Sequence, residues 1–147
     1  MAVTLTHFLA TVDALKQTYH QAVTYFNAGK GEPVTDAAWV GLEGLLDQTA
    51  MVTGIDKAVA YKGPTAVINF LQSAGASFTN DTILNAQVLG AGMGVVSGIA
   101  NWKDADNDND GLISFNFEFI DRNGSGTDWK ILRLTATTPK APAAAAP

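Results

Sequence analysis

The sequence predicts an α+β domain in which helices come first and a mainly antiparallel sheet follows. Apolar residues recur at three- and four-residue spacing up to about Gln72 and at every second position from Phe78 onward, so the period changes once along the chain. The connections between the later segments are acidic or rich in glycine and asparagine, which suits hairpins. Strands that run together after helices, instead of alternating with them, build a sheet with its helices gathered on one face.

Leu5, Phe8, Leu9, Val12, Leu15, Tyr19, Ala22, Val23 and Phe26 form the stripe of one long amphipathic helix, which Asn27 to Gly31 end. After Pro33, either Thr35 or Asp36 supplies the N-cap of a second helix, Ala37 to Leu46, with Trp39, Leu42 and Leu45/Leu46 on one side. Two short strands follow, Ala50 to Thr53 and Lys57 to Lys62. Gly63-Pro64 then opens a third helix, since proline's fixed φ and missing N–H suit a first turn; it runs to about Gln72, with Val67, Ile68, Phe70 and Leu71 as its apolar residues.

Four longer strands are expected at Thr82 to Leu89, Gly94 to Lys103, Leu112 to Asp121 and Trp129 to Thr137. The third alternates most clearly: Ile113, Phe115, Phe117 and Phe119 share one face, and Ser114, Asn116 and Glu118 share the other. From Thr138 the chain reads Pro-Lys-Ala-Pro-Ala-Ala-Ala-Ala-Pro, which buries too little apolar surface to offset its ordering entropy. Residues 1–137 are therefore expected to form one domain and 138–147 a disordered tail.

Composition narrows the function. A chain of 147 residues, 47% hydrophobic, is long enough to bury a core, and its net charge of -5 with only 9 basic residues opposes a phosphate backbone as partner. The absence of cysteine removes disulfides, thiolate catalysis and cysteine-ligated metal centres. Met1 to Ala10 has neither a basic start nor a long apolar run, and no later stretch approaches a membrane span, so the expected location is cytoplasmic.

Three segments carry a family resemblance. Tyr25-Phe26-Asn27-Ala28-Gly29 looks like a helix-ending "NAG" segment, Gly63-Pro64-Thr65-Ala66-Val67-Ile68-Asn69-Phe70-Leu71 like "G-x-x-A-I-x-x-F", and Trp129-Lys130-Ile131 like "W-R-I" in a last strand. With the order of elements, these resemble the NTF2-like superfamily, whose members include SnoaL-like cyclases and ketosteroid isomerase. The resemblance spans about Thr4 to Thr137 and implies a cone: three N-terminal helices packed on a strongly curved sheet around an apolar cavity, with homodimers formed through the outer sheet face. It speaks for fold more than for chemistry.

The isomerase machinery does not carry over cleanly. Aligned on the quoted segments, Ala22 takes the tyrosine slot, Gly54 the base slot and Asn116 the acid slot. A shift of one helical turn would substitute Tyr19 or Tyr25 for the tyrosine, and Asp56 for the base. The resemblance therefore leaves Glu118, Asn116, Asp56 and Tyr19 as candidates for acid–base or oxyanion roles, which need a base in reach and a donor for the developing charge.

Glu118 and Asn116 share a face, so orientation decides their meaning. If that face turns inward, Glu118 is a buried carboxylate and the phenylalanines form a dimer surface; if the phenylalanines turn inward, Glu118 lies outside. The alignment of Asn116 with the acid slot favours the first. The ligand is then a small apolar molecule, and Trp39, Tyr61, Asn85, Gln87, Asn101, Trp102, Ser114 and Trp129 are the expected pocket lining, the aromatics alternatively being plain core. The rival is a non-catalytic module that only pairs with itself.

Asp106-Asn107-Asp108-Asn109-Asp110-Gly111 places carboxylates at positions one, three and five and glycine at six, as in a calcium loop. The twelfth position is Phe117, not glutamate, and the flanks read as strands. The segment Asp104 to Gly111 is thus either a calcium site built on Asp106, Asp108 and Asp110 or a solvated hairpin tip. His7 and His20 fall on the polar side of the first helix, without the close partners that a zinc site needs.

Overall fold

A computed structural model describes residues 5–53, 60–90, 92–104 and 111–137, with side chains from Thr11 onward in the first helix. Asp56, the stretch Lys57 to Val59 of one expected strand, the loop aspartates Asp106, Asp108 and Asp110, the side chain of His7 and the tail lie outside the described residues. The elements run α1 (Leu5–Ala28), α2 (Ala37–Gly44), β1 (Leu46–Thr53), β2 (Ala60–Lys62), α3 (Pro64–Ala74), β3 (Ser77–Gly90), β4 (Met93–Lys103), β5 (Gly111–Ile120) and β6 (Lys130–Thr137).

Local chemistry accounts for the helices. Leu15, Tyr19, Ala22 and Phe26 are the buried stripe of α1, while Gln17, His20 and Thr24 are exposed. Asp36 caps α2 by accepting the Ala38 amide at 3.0 Å, and Gly75 ends α3 in the left-handed region at φ 56°. The α2 helix stops short of the expected Leu46. The Leu45 carbonyl accepts the Ile131 amide at 2.7 Å, and Leu46 pairs with Ile131, so the chain joins the sheet there.

The six strands form one sheet in the order β2-β1-β6-β5-β4-β3. β1 and β6 run parallel and every other neighbouring pair is antiparallel. β3 is longer than its alternation suggests because register shifts interrupt it, the first between Thr79 and Thr82 where Asn80 takes φ 51°. Bulges of this kind bend a strand and curl the sheet. Gly98 permits the tightest approach: a Cβ there would collide with the Thr82 carbonyl oxygen.

The orientation of β5 is the reverse of the one expected. Ile113, Phe115, Phe117 and Phe119 are buried beneath the chain's own helices, with Tyr19 stacked on Phe115 at 5.4 Å and edge-on to Phe117 at 5.1 Å. Each such side chain gains roughly 1.5–3 kcal/mol on burial, whereas the opposite choice would desolvate the Glu118 carboxylate without a counter-charge. The neighbouring strand makes room, because Gly94, Gly98 and Ala100 stand opposite Phe119, Phe115 and Ile113. The phenylalanine face is therefore core and not a dimer surface.

Candidate functional site

Helices α1, α2 and α3 close over the inward face of the sheet around a cavity of about 50 Å³. α1 contributes Ala22, Val23 and Phe26, α2 contributes Leu42, and α3 contributes Phe70 and Leu71. The sheet supplies Leu46, Val52 and Thr53 from β1, Phe78 from β3, Trp102 from β4, Ile113, Phe115 and Phe117 from β5, and Ile131, Leu134 and Ala136 from β6. Val23, Thr53, Phe70, Leu134 and Ala136 are only half-buried and form the rim. The volume exceeds the roughly 10–15 Å³ that one water needs, yet an apolar wall holds water poorly.

Thr53 and the Trp102 indole bring the only polar side-chain atoms to this wall, and no titratable side chain lines it. The indole N–H of Trp102 is buried and has no hydrogen-bond partner. The other two tryptophans differ: Trp39 donates to the Gly29 carbonyl at 2.7 Å and Trp129 to the Gly126 carbonyl at 2.9 Å.

Of the residues expected to line a pocket, Trp102 alone does. Trp39 is buried core, packed edge-on against Phe26, and Trp129 is buried at the start of β6. Tyr61 stacks on Phe70 at 4.3 Å and so backs the wall without being part of it. Asn85, Gln87, Asn101 and Ser114 are exposed on the outer face, where Asn85 pairs with Ser97 and Asn101 with Leu112, and the Ser114 hydroxyl lies 2.8 Å from that of Thr137. These are ordinary cross-strand neighbours.

The expected catalytic set is not brought together. Glu118 is outside, 30% exposed and 3.3 Å from Arg133, and Asn116 shares that face opposite Thr135. Tyr19 is wholly buried and donates from its hydroxyl to Asp81 at 2.7 Å. Burial pushes the phenol far above its usual range and the Asp81 carboxylate acts in the same direction, so Tyr19 is no proton donor near neutrality. The β3 bulge at Asn80 places Asp81 in that position, which strand alternation does not foretell.

Two further carboxylates escaped the sequence reading. Asp47, almost fully buried, takes Arg122 bidentately at 2.8 and 2.9 Å and the Thr49 amide at 2.9 Å; the Arg122 bond above all holds its carboxyl well below the usual range, against the opposing effect of burial. Asp121 organises the β5–β6 loop, accepting the Ser125 hydroxyl at 2.8 Å and the amides of Asn123 and Gly126 at 3.0 and 2.6 Å. Burial raises its carboxyl, but the Ser125 bond and the surrounding amides outweigh this and leave it lowered. Asp-x-x-x-Ser in a glycine-rich hairpin loop was the available signal.

Among the described residues no group of three or more histidines or carboxylates is placed to hold a metal, and no helix is long and apolar enough to cross a membrane. The acidic segment considered for calcium lies outside those residues.

No family model matches the sequence, and no curated protein matches it either. Solved structures do. A ketosteroid isomerase-like protein from Erwinia carotovora atroseptica superposes with a TM-score of 0.66 at 10% identity, over 86% of this chain and 94% of that one. An NTF2-like protein of unknown function from Pseudomonas putida gives 0.64 at 10% identity, over 89% and 88%. A domain of unknown function with a cystatin-like fold from Nostoc punctiforme gives 0.63 at 14% identity, over 87% and 76%. At these identities the likeness is one of fold.

Proposed function

We propose that this chain, which has the NTF2-like fold, holds a small apolar molecule between its helices and the inward face of its sheet. The observation that supports the reading is the cavity itself, walled by aliphatic and aromatic side chains from all three helices and from five strands. Its wall carries no acid–base pair among the described residues, so the reading is one of binding and not of proton transfer. The test is a thermal melt with and without methylenecyclopentane, a compact hydrocarbon, alongside native mass spectrometry for a co-purified small molecule. A ligand that binds only the folded state raises the melting temperature by mass action. No shift in the parent protein and no retained molecule would reduce the cavity to a packing void.

A second reading, self-association through the outer sheet face, is supported by a different observation. Leu112 is 49% exposed there, and Val95, Ile99 and Ile120 on the same face are only half-buried. Light scattering should then give the mass of a dimer, and Ile99→Glu should give a monomer. A monomeric parent protein ends this reading and leaves the first untouched.

A further inference from the structure

We infer that Trp102 makes the cavity selective for an apolar molecule bearing one neutral hydrogen-bond acceptor, such as a ketone, ether or ester oxygen. This rests on the cavity being a binding site, and it names the class of ligand. Trp102 stands on β4 opposite Phe78 of β3 and Gly111 of β5, is 8% exposed, and stacks on Phe26 with ring centres 5.7 Å apart. Its ring is part of the cavity wall.

The indole N–H of this ring is buried and unpaired. Folded proteins pair nearly all buried polar groups, because an unmade bond carries the full desolvation cost of the group. Water is a poor candidate to satisfy it, since a buried water needs two to four polar partners and the wall offers only the Thr53 hydroxyl besides. An acceptor carried in on a ligand supplies the missing half.

The charge of that acceptor follows from the rest of the wall. No lysine, arginine or histidine lines it, so a carboxylate or phosphate would be desolvated with no counter-charge. An indole N–H donates and never accepts, so a molecule offering only donors leaves it unpaired. Thr53 can serve either role, and the requirement for an acceptor therefore comes from Trp102.

The experiment compares cyclopentanone with methylenecyclopentane, which have the same shape and differ in carrying C=O or C=CH2. Both are titrated into the ¹⁵N-labelled protein while its three indole N–H signals are followed. Two of those protons are already hydrogen-bonded and one is free, and Trp102→Phe identifies the free one by its loss. Cyclopentanone should move the Trp102 signal downfield and methylenecyclopentane should not. Trp102→Phe should shift the ratio of the two dissociation constants against cyclopentanone by about fivefold, the equivalent of one net hydrogen bond; taking the ratio cancels the extra space left by the smaller ring.

If both probes bind the parent protein but the signal does not move downfield with the ketone, the inference is wrong and the cavity reading stands. If neither binds, the cavity reading fails and takes the inference with it. Should Trp102→Phe not fold, the parent spectrum decides alone, because the free indole proton is distinguishable from the two bonded ones.

Discussion

Ala136 lies on β6 opposite Phe115, on the inward face, and its methyl group forms part of the cavity wall. Ala136→Val adds two methyl groups at a strand position that favours a β-branched side chain. An empty apolar volume of about 50 Å³ forgoes roughly 24 cal/mol per Å³, or about 1.2 kcal/mol. Burying the added carbons could contribute slightly more, about 1.6 kcal/mol, so the void sets the limit. A gain of about 1 kcal/mol raises the melting temperature of a domain this size by about 3–4 °C. Melts of the parent and Ala136→Val, each with and without methylenecyclopentane, check both consequences: the ligand-free variant should melt higher, and the probe should no longer shift it. A fall in melting temperature would mean that the added carbons are forced against Phe115 and its neighbours, which overpacking penalises by 1–3 kcal/mol, and the cavity would not be there to fill. An undiminished probe shift would place the probe elsewhere.

Three other outcomes follow from the same geometry. Because the folded-state pKa of Asp47 is depressed, its stabilisation is complete above the unfolded carboxylate value near 4 and is lost as pH falls below it; Asp47→Asn should flatten that acid limb in pH-dependent urea melts while costing about 1–3 kcal/mol at neutral pH. Tyr19→Phe removes the hydroxyl bonded to Asp81 and should lower the unfolding free energy by about 1–2 kcal/mol, with the larger value expected if Asp81 is poorly rehydrated. Glu118→Gln should change stability by less than about 1 kcal/mol and leave probe affinity unaltered, since its partner Arg133 is half-exposed; a tenfold loss of affinity would show that Glu118 reaches the cavity after all.

Much of the architecture was legible because burial writes itself into periodicity. The α1 stripe, the Asp36 cap, Pro64 at the start of α3 and the alternation of β5 all follow from single-element rules. What a single strand cannot reveal is which of its faces points inward. That information lay one hairpin away, in Gly94, Val96, Gly98 and Ala100, whose small side chains leave space on the same face as the phenylalanines. The site suffered most from this, since Asn85, Gln87, Asn101, Ser114, Asn116 and Glu118 all moved outside together. Long-range polar contacts were illegible for another reason: Asn27 clamps both the amide and the carbonyl of Phe78 at 2.8 and 2.7 Å, across 51 positions of sequence.

The placement of the buried carboxylates also separates stability from binding. Asp47 with Arg122 and Asp121 with its loop are fully hydrogen-bonded, and neither belongs to the cavity wall. Their contribution is to the ladder around β1, β5 and β6, where Leu46 pairs with Ile131 and Ile120 with Lys130. The wall, by contrast, is neutral and held by dispersion and apolar burial, which vary little with pH. Affinity for a neutral probe should therefore stay constant across the acid range in which folding stability declines, until the native population itself falls. A titrating binding constant above that point would require an ionisable group at the cavity, and it would contradict the composition of the wall that gives Trp102 its importance.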